Sequence, residues 1–169
     1  MTHDVDADCQ AAAVGALRAC LDAGLLEELD LGDEEIAELC DKVYAKVVDQ
    51  TAAPELRAAA LAFALDFEDF DGSGDAQRAL MDLGRFAEAS ILGDEGPPAL
   101  APLIADAFLA LPDRATLLKD WRAWVDLLAR DDVDARSDDA LRLADVLLRL
   151  LAAAADADAT GAAPALADA

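Results

Sequence analysis

The sequence predicts an all-α fold, a compact bundle of six or seven short amphipathic helices, and three observations carry that prediction. Apolar residues recur at helical spacing along most of the chain: Ile36, Leu39, Cys40, Val43, Tyr44, Val47 and Val48 fall at i, i+3, i+4, i+7, i+8, i+11 and i+12. No stretch shows the sustained period-two alternation, rich in β-branched and aromatic residues, that a strand requires. The 169 residues are 56% hydrophobic but only 5% aromatic, so the core must be built from Ala, Leu and Val. Such small side chains suit closely approaching helices. The helix pairs share no repeat pattern, which favours a bundle over a stack of pairs.

The elements follow from local signals. Val14, Leu17 and Leu21 lie at helical spacing between Ala7 and Ala23, and Gly24 stands where a helix end takes a left-handed residue. A short turn over Leu25 to Leu29 follows. Asp33 is expected to cap the next helix, with Glu34 and Glu35 near the positive end of its dipole. Pro54 suits a first helical position, where its missing N–H costs nothing. The helix it opens carries Leu56, Ala60, Phe63, Ala64 and Phe67 in one stripe, widened almost all the way round by Leu61 and Leu65. That helix belongs at the centre.

An acidic glycine loop separates it from a second helical run, Ala76 to Leu92, with Asp75 as cap and Leu80, Leu83, Ala87 and Ile91 inward. Gly84 inside this run costs about 1 kcal/mol relative to Ala and marks a close helix crossing. Gly93 to Pro98 reads as an exposed loop, because apolar pattern resumes at once with Leu100, Leu103, Ile104, Ala107, Phe108 and Leu111. Pro112-Asp113 ends that helix and caps the next, whose Leu117, Trp121, Trp124, Val125 and Leu128 share a face. The final helix, capped by Ser137, is expected to turn Leu141, Ala144, Leu148 and Leu151 inward and to carry outward Asp138–Arg142 and Asp145–Arg149 pairs. One helical domain over residues 1–156 is expected, followed by a disordered Ala/Asp-rich tail over 157–169.

Charge excludes whole classes of function. Against 36 acidic residues stand 13 basic ones, a net charge of −23, and the Arg and Lys residues are scattered singly. A nucleic-acid binder needs a basic face, so none is expected here. The excess of Asp with few Lys resembles the usage of proteins from salt-accumulating halophiles, whose carboxylates stay hydrated in molar salt. Under that reading the acidity describes the solvent rather than a partner.

Cys9, Cys20 and Cys40 are odd in number and lack close pairing, which fits free thiols in a reducing cytoplasm; with His3 they make no recognisable zinc set. The N-terminus has neither a basic flank nor an apolar run, so no signal peptide is expected. No apolar stretch approaches the roughly 20 residues of a membrane span.

Few residues can carry chemistry. Asp69, Asp71, Ser73 and Asp75 alternate as oxygen donors around Gly74, and the stretch resembles the first half of an EF-hand calcium loop. The resemblance implies cation binding between two helices. It departs from the family at the twelfth position, where Leu80 replaces the bidentate Glu, and at the eighth, where Ala76 stands. The other reading is an acidic turn whose Asp75 caps a helix. Asp66, following the Ala58 to Leu65 run, is the one carboxylate placed to be buried and perturbed for acid–base work. No P-loop, dinucleotide fingerprint, Glu-x-x-His pair or nucleophile elbow accompanies it. Trp121 and Trp124 are candidate partner-binding residues, since Trp is enriched in interface hot spots, although their spacing fits a core stripe equally well.

The expected function is therefore a non-enzymatic cytoplasmic helical protein that binds another protein: an adaptor, an assembly or maturation chaperone, or a subunit of a larger assembly. No cofactor, nucleic acid or membrane is expected, and a second copy of the chain counts among candidate partners. A calcium-responsive module using Asp69, Asp71, Ser73 and Asp75 is the first alternative. A small-molecule enzyme, which would need a deep pocket with convergent polar groups, is the second.

Overall fold

A computed structural model describes residues 7–25, 32–70, 72, 75–93, 96–129 and 138–160. Among them every regular element is helical: α1 (Ala7–Asp22), α2 (Asp33–Val47), α3 (Pro54–Phe67), α4 (Ala76–Phe86), α5 (Ala101–Leu109), α6 (Ala115–Leu118), α7 (Trp121–Leu128) and α8 (Asp138–Thr160). A π-helical stretch, Ala87–Leu92, continues α4, and a 3-10 turn, Pro98–Leu100, leads into α5. The fold is all-α, as the periodicity requires. Within the span read as one domain, the chain forms two compact units, Met1–Phe70 and Asp71–Ala169. The junction lies in the acidic glycine loop. The expected turn over 25–29, apart from Leu25, the cap Ser137 and the tail beyond Thr160 lie outside the described residues, while α8 itself runs four residues past 156.

The first unit is built on α3, against which both α1 and α2 pack. Residues 60–65 are all buried, so nearly two turns of this helix have no side facing water. Of these six residues five are Ala or Leu and the sixth is Phe63, which stacks on Phe67 at a centroid distance of 5.9 Å. Truncating a residue such as Leu61 would remove buried methylenes and leave a cavity, at a cost of about 2–5 kcal/mol. Arg18 of α1 donates from Nε to the Asp66 carboxylate on α3, tying the two helices at one end. The start of α2 differs from expectation. Gly32, not Asp33, is the cap residue; its N–H donates to the Glu35 carboxylate at 3.0 Å, while Asp33 occupies the first helical position.

In the second unit, α4 packs against α6, α7 and α8, and α5 against α6 and α8. Asp75 caps α4 by accepting from the Gln77 N–H at 3.1 Å. The π turn widens the helix so that Ala87, Ile91 and Leu92 all stay buried, and Gly93 at φ +62° ends it. Gly84 is the close crossing its position suggests: a Cβ there would lie 2.5 Å from Leu147 Cδ2 and 3.2 Å from Leu143 Cδ1 of α8.

Two faces differ from the sequence expectation. A single helix after Pro112 was expected with Asp113 as cap; instead Arg114 precedes the short α6, and Asp120 starts α7 by accepting from the Ala123 N–H at 3.0 Å. The Asp carboxylate takes a backbone donor and breaks the run in two. In α8 the buried row is Val146, Leu147, Leu150 and Ala154, while Leu141 and Leu148 are exposed. Arg142 explains the rotation. Its guanidinium donates to the carbonyls of Gly93 and, at 2.9 Å, of Gly96, and it stands 3.5 Å from the Glu88 carboxylate. Holding Arg142 against this loop turns Leu143 and Leu147 toward Gly84. The Asp145–Arg149 pair forms at 2.9 Å as expected, and the side chain of Asp138 lies outside the described residues.

The Gly84 crossing makes a prediction of sign. Gly84→Ala forces a methyl into a packed contact at about 1–3 kcal/mol, offset by about 1 kcal/mol of helix propensity. The net change in the wild type is a loss of up to about 2 kcal/mol. In a Leu147→Ala background the closest contacts are gone and only that with Leu143 Cδ1 stays, so the same substitution becomes stabilising by up to about 1 kcal/mol. Urea denaturation of the four proteins of this double-mutant cycle measures the reversal.

Candidate functional site

The acidic loop is described only at its ends. Asp69 closes α3 in a left-handed conformation, φ +51°, and Asp75 uses a carboxylate oxygen to cap α4. Asp71, Ser73 and Gly74 lie outside the described residues. Among the described residues, no three His, Cys, Asp or Glu side chains gather in a group that could hold a metal ion. His3 is outside them; Cys9 is exposed, Cys20 half-buried and Cys40 buried, each a free thiol.

The Asp66 side chain is 14% exposed, and its carboxylate faces the Arg18 guanidinium. That ion pair joins α1 to α3, which gives Asp66 a structural task.

The two tryptophans separate. Trp124 is 1% exposed and donates its indole N–H to the Leu118 carbonyl at 3.0 Å, closing the break between α6 and α7 from within the core. Ala123 and Leu127 are buried beside it. Trp121, at the start of the same helix, is 36% exposed, and Val125 and Leu128 are 65% and 50% exposed. The i, i+4, i+7 row therefore faces outward while Trp124 faces inward, so the residues expected to share one face are divided between two. Arg122 and Asp126, 4.0 Å apart, flank the row. These are three of the six exposed large apolar side chains among the described residues, all on two turns of one helix.

A cleft that sequence reading did not single out lies in the first unit, between α2 and the end of α3, with a volume of about 400 Å³. Its floor is Ile36, Cys40, Tyr44 and Phe67. Carboxylates of Asp33, Asp41 and Glu68 stand at its edge. The Tyr44 hydroxyl donates to Glu68 Oε1 at 3.1 Å. Burial, then the negative charge of Glu68, pushes the Tyr44 phenol well above its ordinary value, and the same two causes raise the Cys40 thiol. The available signal was the lone Tyr on the amphipathic face of α2, but helical spacing alone assigned it to the core.

No protein-family model matches the chain, and neither a curated protein nor a solved structure matches it.

Because the chain has one tyrosine, its ionisation can be followed alone. The raised folded-state value means that the neutral phenol is favoured by folding. Its contribution to stability is full below the unfolded value of about 10 and is lost as pH rises above it. Tyrosinate absorbance should stay absent at pH about 10 and grow in only at higher pH. Glu68→Gln should move the transition to lower pH, since a neighbouring negative charge is gone. A midpoint near 10 in both folded proteins would contradict the geometry.

Proposed function

We propose that the protein acts by binding another protein, as a non-catalytic cytoplasmic adaptor, chaperone or assembly subunit, and that the outward row of α7 is its contact surface. The observation that carries this reading is the exposure of Trp121, Val125 and Leu128 along one helix face. Water gains nothing from three large apolar side chains in a row; a partner groove that covers them does. Trp121 supplies the large anchor typical of hot spots, and the Arg122–Asp126 pair supplies a polar rim. Trp124 holds the row in place from behind, since its burial and its bond to Leu118 fix the rotation of α7. Among the described residues no helix is long and apolar enough to cross a membrane.

Crosslinking capture in high KCl tests the proposal, with Leu148→Glu on α8 as an equally exposed control. A partner, or a second copy of the chain, should be retained by the wild type and the control. It should be lost by Val125→Glu, and Trp121→Ala should weaken it by about 2 kcal/mol, about thirtyfold. Circular dichroism should show all variants equally helical. Capture that is indifferent to the α7 substitutions would contradict the proposal.

A further inference from the structure

We propose that the cleft between α2 and the end of α3 is a receptor for an arginine side chain presented by a partner's peptide segment. The inference rests on the reading that the chain binds protein, but it concerns a different surface, in the first unit. Three features of the cleft select this occupant. The floor of Ile36, Cys40, Tyr44 and Phe67 is apolar, so it takes a hydrocarbon stem. Asp33, Asp41 and Glu68 at the edge carry three negative charges, and α2 contributes no cation to them: Lys42 pairs with Glu38 at 2.7 Å and Lys46 with Asp49 at 3.1 Å. The Phe67 ring is part of the wall, and a planar guanidinium stacks on such a ring better than an ammonium does.

Glu68 is also held ready. The Tyr44 hydroxyl occupies one of its oxygens, which fixes the carboxylate at the edge and leaves its other oxygen for a guanidinium N–H. Burial raises both the Tyr44 phenol and the Cys40 thiol, with the Glu68 charge adding to it, as an apolar floor beside a carboxylate requires. A long, apolar stem with a delocalised positive head matches the floor and edge together. A neutral or acidic side chain matches only the floor or neither. The volume of about 400 Å³ accommodates the arginine and a flanking residue.

The probe is the peptide acetyl-Leu-Arg-Leu-amide, compared with its citrulline analogue, which keeps the shape and removes the charge. In titrations followed by amide chemical shifts, the arginine peptide should move resonances of residues 33–44 and 67–68 and no others. The citrulline peptide should bind at least about fivefold more weakly. Asp41→Asn and Glu68→Gln should each cost the arginine peptide about two- to fivefold while leaving the citrulline peptide unaffected. Ala37→Trp, a change at an exposed helix position that fills the mouth, should abolish binding of both with the melting curve unchanged. Equal affinity for the two peptides, shifts elsewhere, or no binding at millimolar peptide would each overturn the proposal. So would equal affinity for hexylguanidinium, which would make the cleft a site for small cations. None of these results bears on the α7 row, so failure here and failure of protein binding there are distinguishable.

Discussion

The first unit depends on one constraint: from Ala58 to Leu65 α3 is apolar on every side, so no orientation of it satisfies water. Residues 60–65 are buried in sequence, not in alternation. An amphipathic helix can lie on a surface, but this one must be surrounded, and α1 and α2 are held by what they cover. The polar groups at its end follow from the same requirement. Asp66 takes the Arg18 guanidinium, and Glu68 takes the Tyr44 hydroxyl, so the first carboxylates after the buried run are used to fasten the neighbouring helices.

The second unit solves a different problem, that of packing helices with few aromatic side chains. Close approach replaces bulk. Gly84 lets Leu143 and Leu147 sit directly on the α4 backbone, and the π turn after it keeps Ile91 and Leu92 directed inward. Arg142 sets the rotation of α8 through the carbonyls of the Gly93–Gly96 loop. The surface ion pairs contribute much less. Glu38–Lys42 and Arg78–Asp82 are solvent-exposed, so water and salt screen them.

How much of this the sequence revealed depended on the kind of signal. The all-α class, the buried α3, the helical run from Ala76 to Leu92, the Asp75 cap and the Gly84 crossing were legible because each rests on local spacing or backbone chemistry. The facing of α7 and α8 was not. Both helices carry two apolar rows, Trp121–Val125–Leu128 against Ala123–Trp124–Leu127, and Leu141–Leu148 against Leu147–Leu150–Ala154, and either row satisfies helical periodicity. The choice is made by contacts outside the helix: the Trp124 indole reaching the Leu118 carbonyl, and Arg142 reaching the loop after the π turn. The cleft was illegible for the same reason, since it joins residues of α2 to Phe67 and Glu68 across a turn that periodicity does not describe.

The most direct test of the account is amide hydrogen exchange, because it reads how each helix opens. If α3 is the element that the first unit is built around, the amides of residues 60–65 must exchange slowest in that unit, and at a common rate set by its global unfolding. The amides of α1 and α2 should open earlier, through local fluctuations. Exchange of residues 60–65 as fast as that of residues 12–20 would contradict the account, for it would mean that the buried helix is not what holds the others.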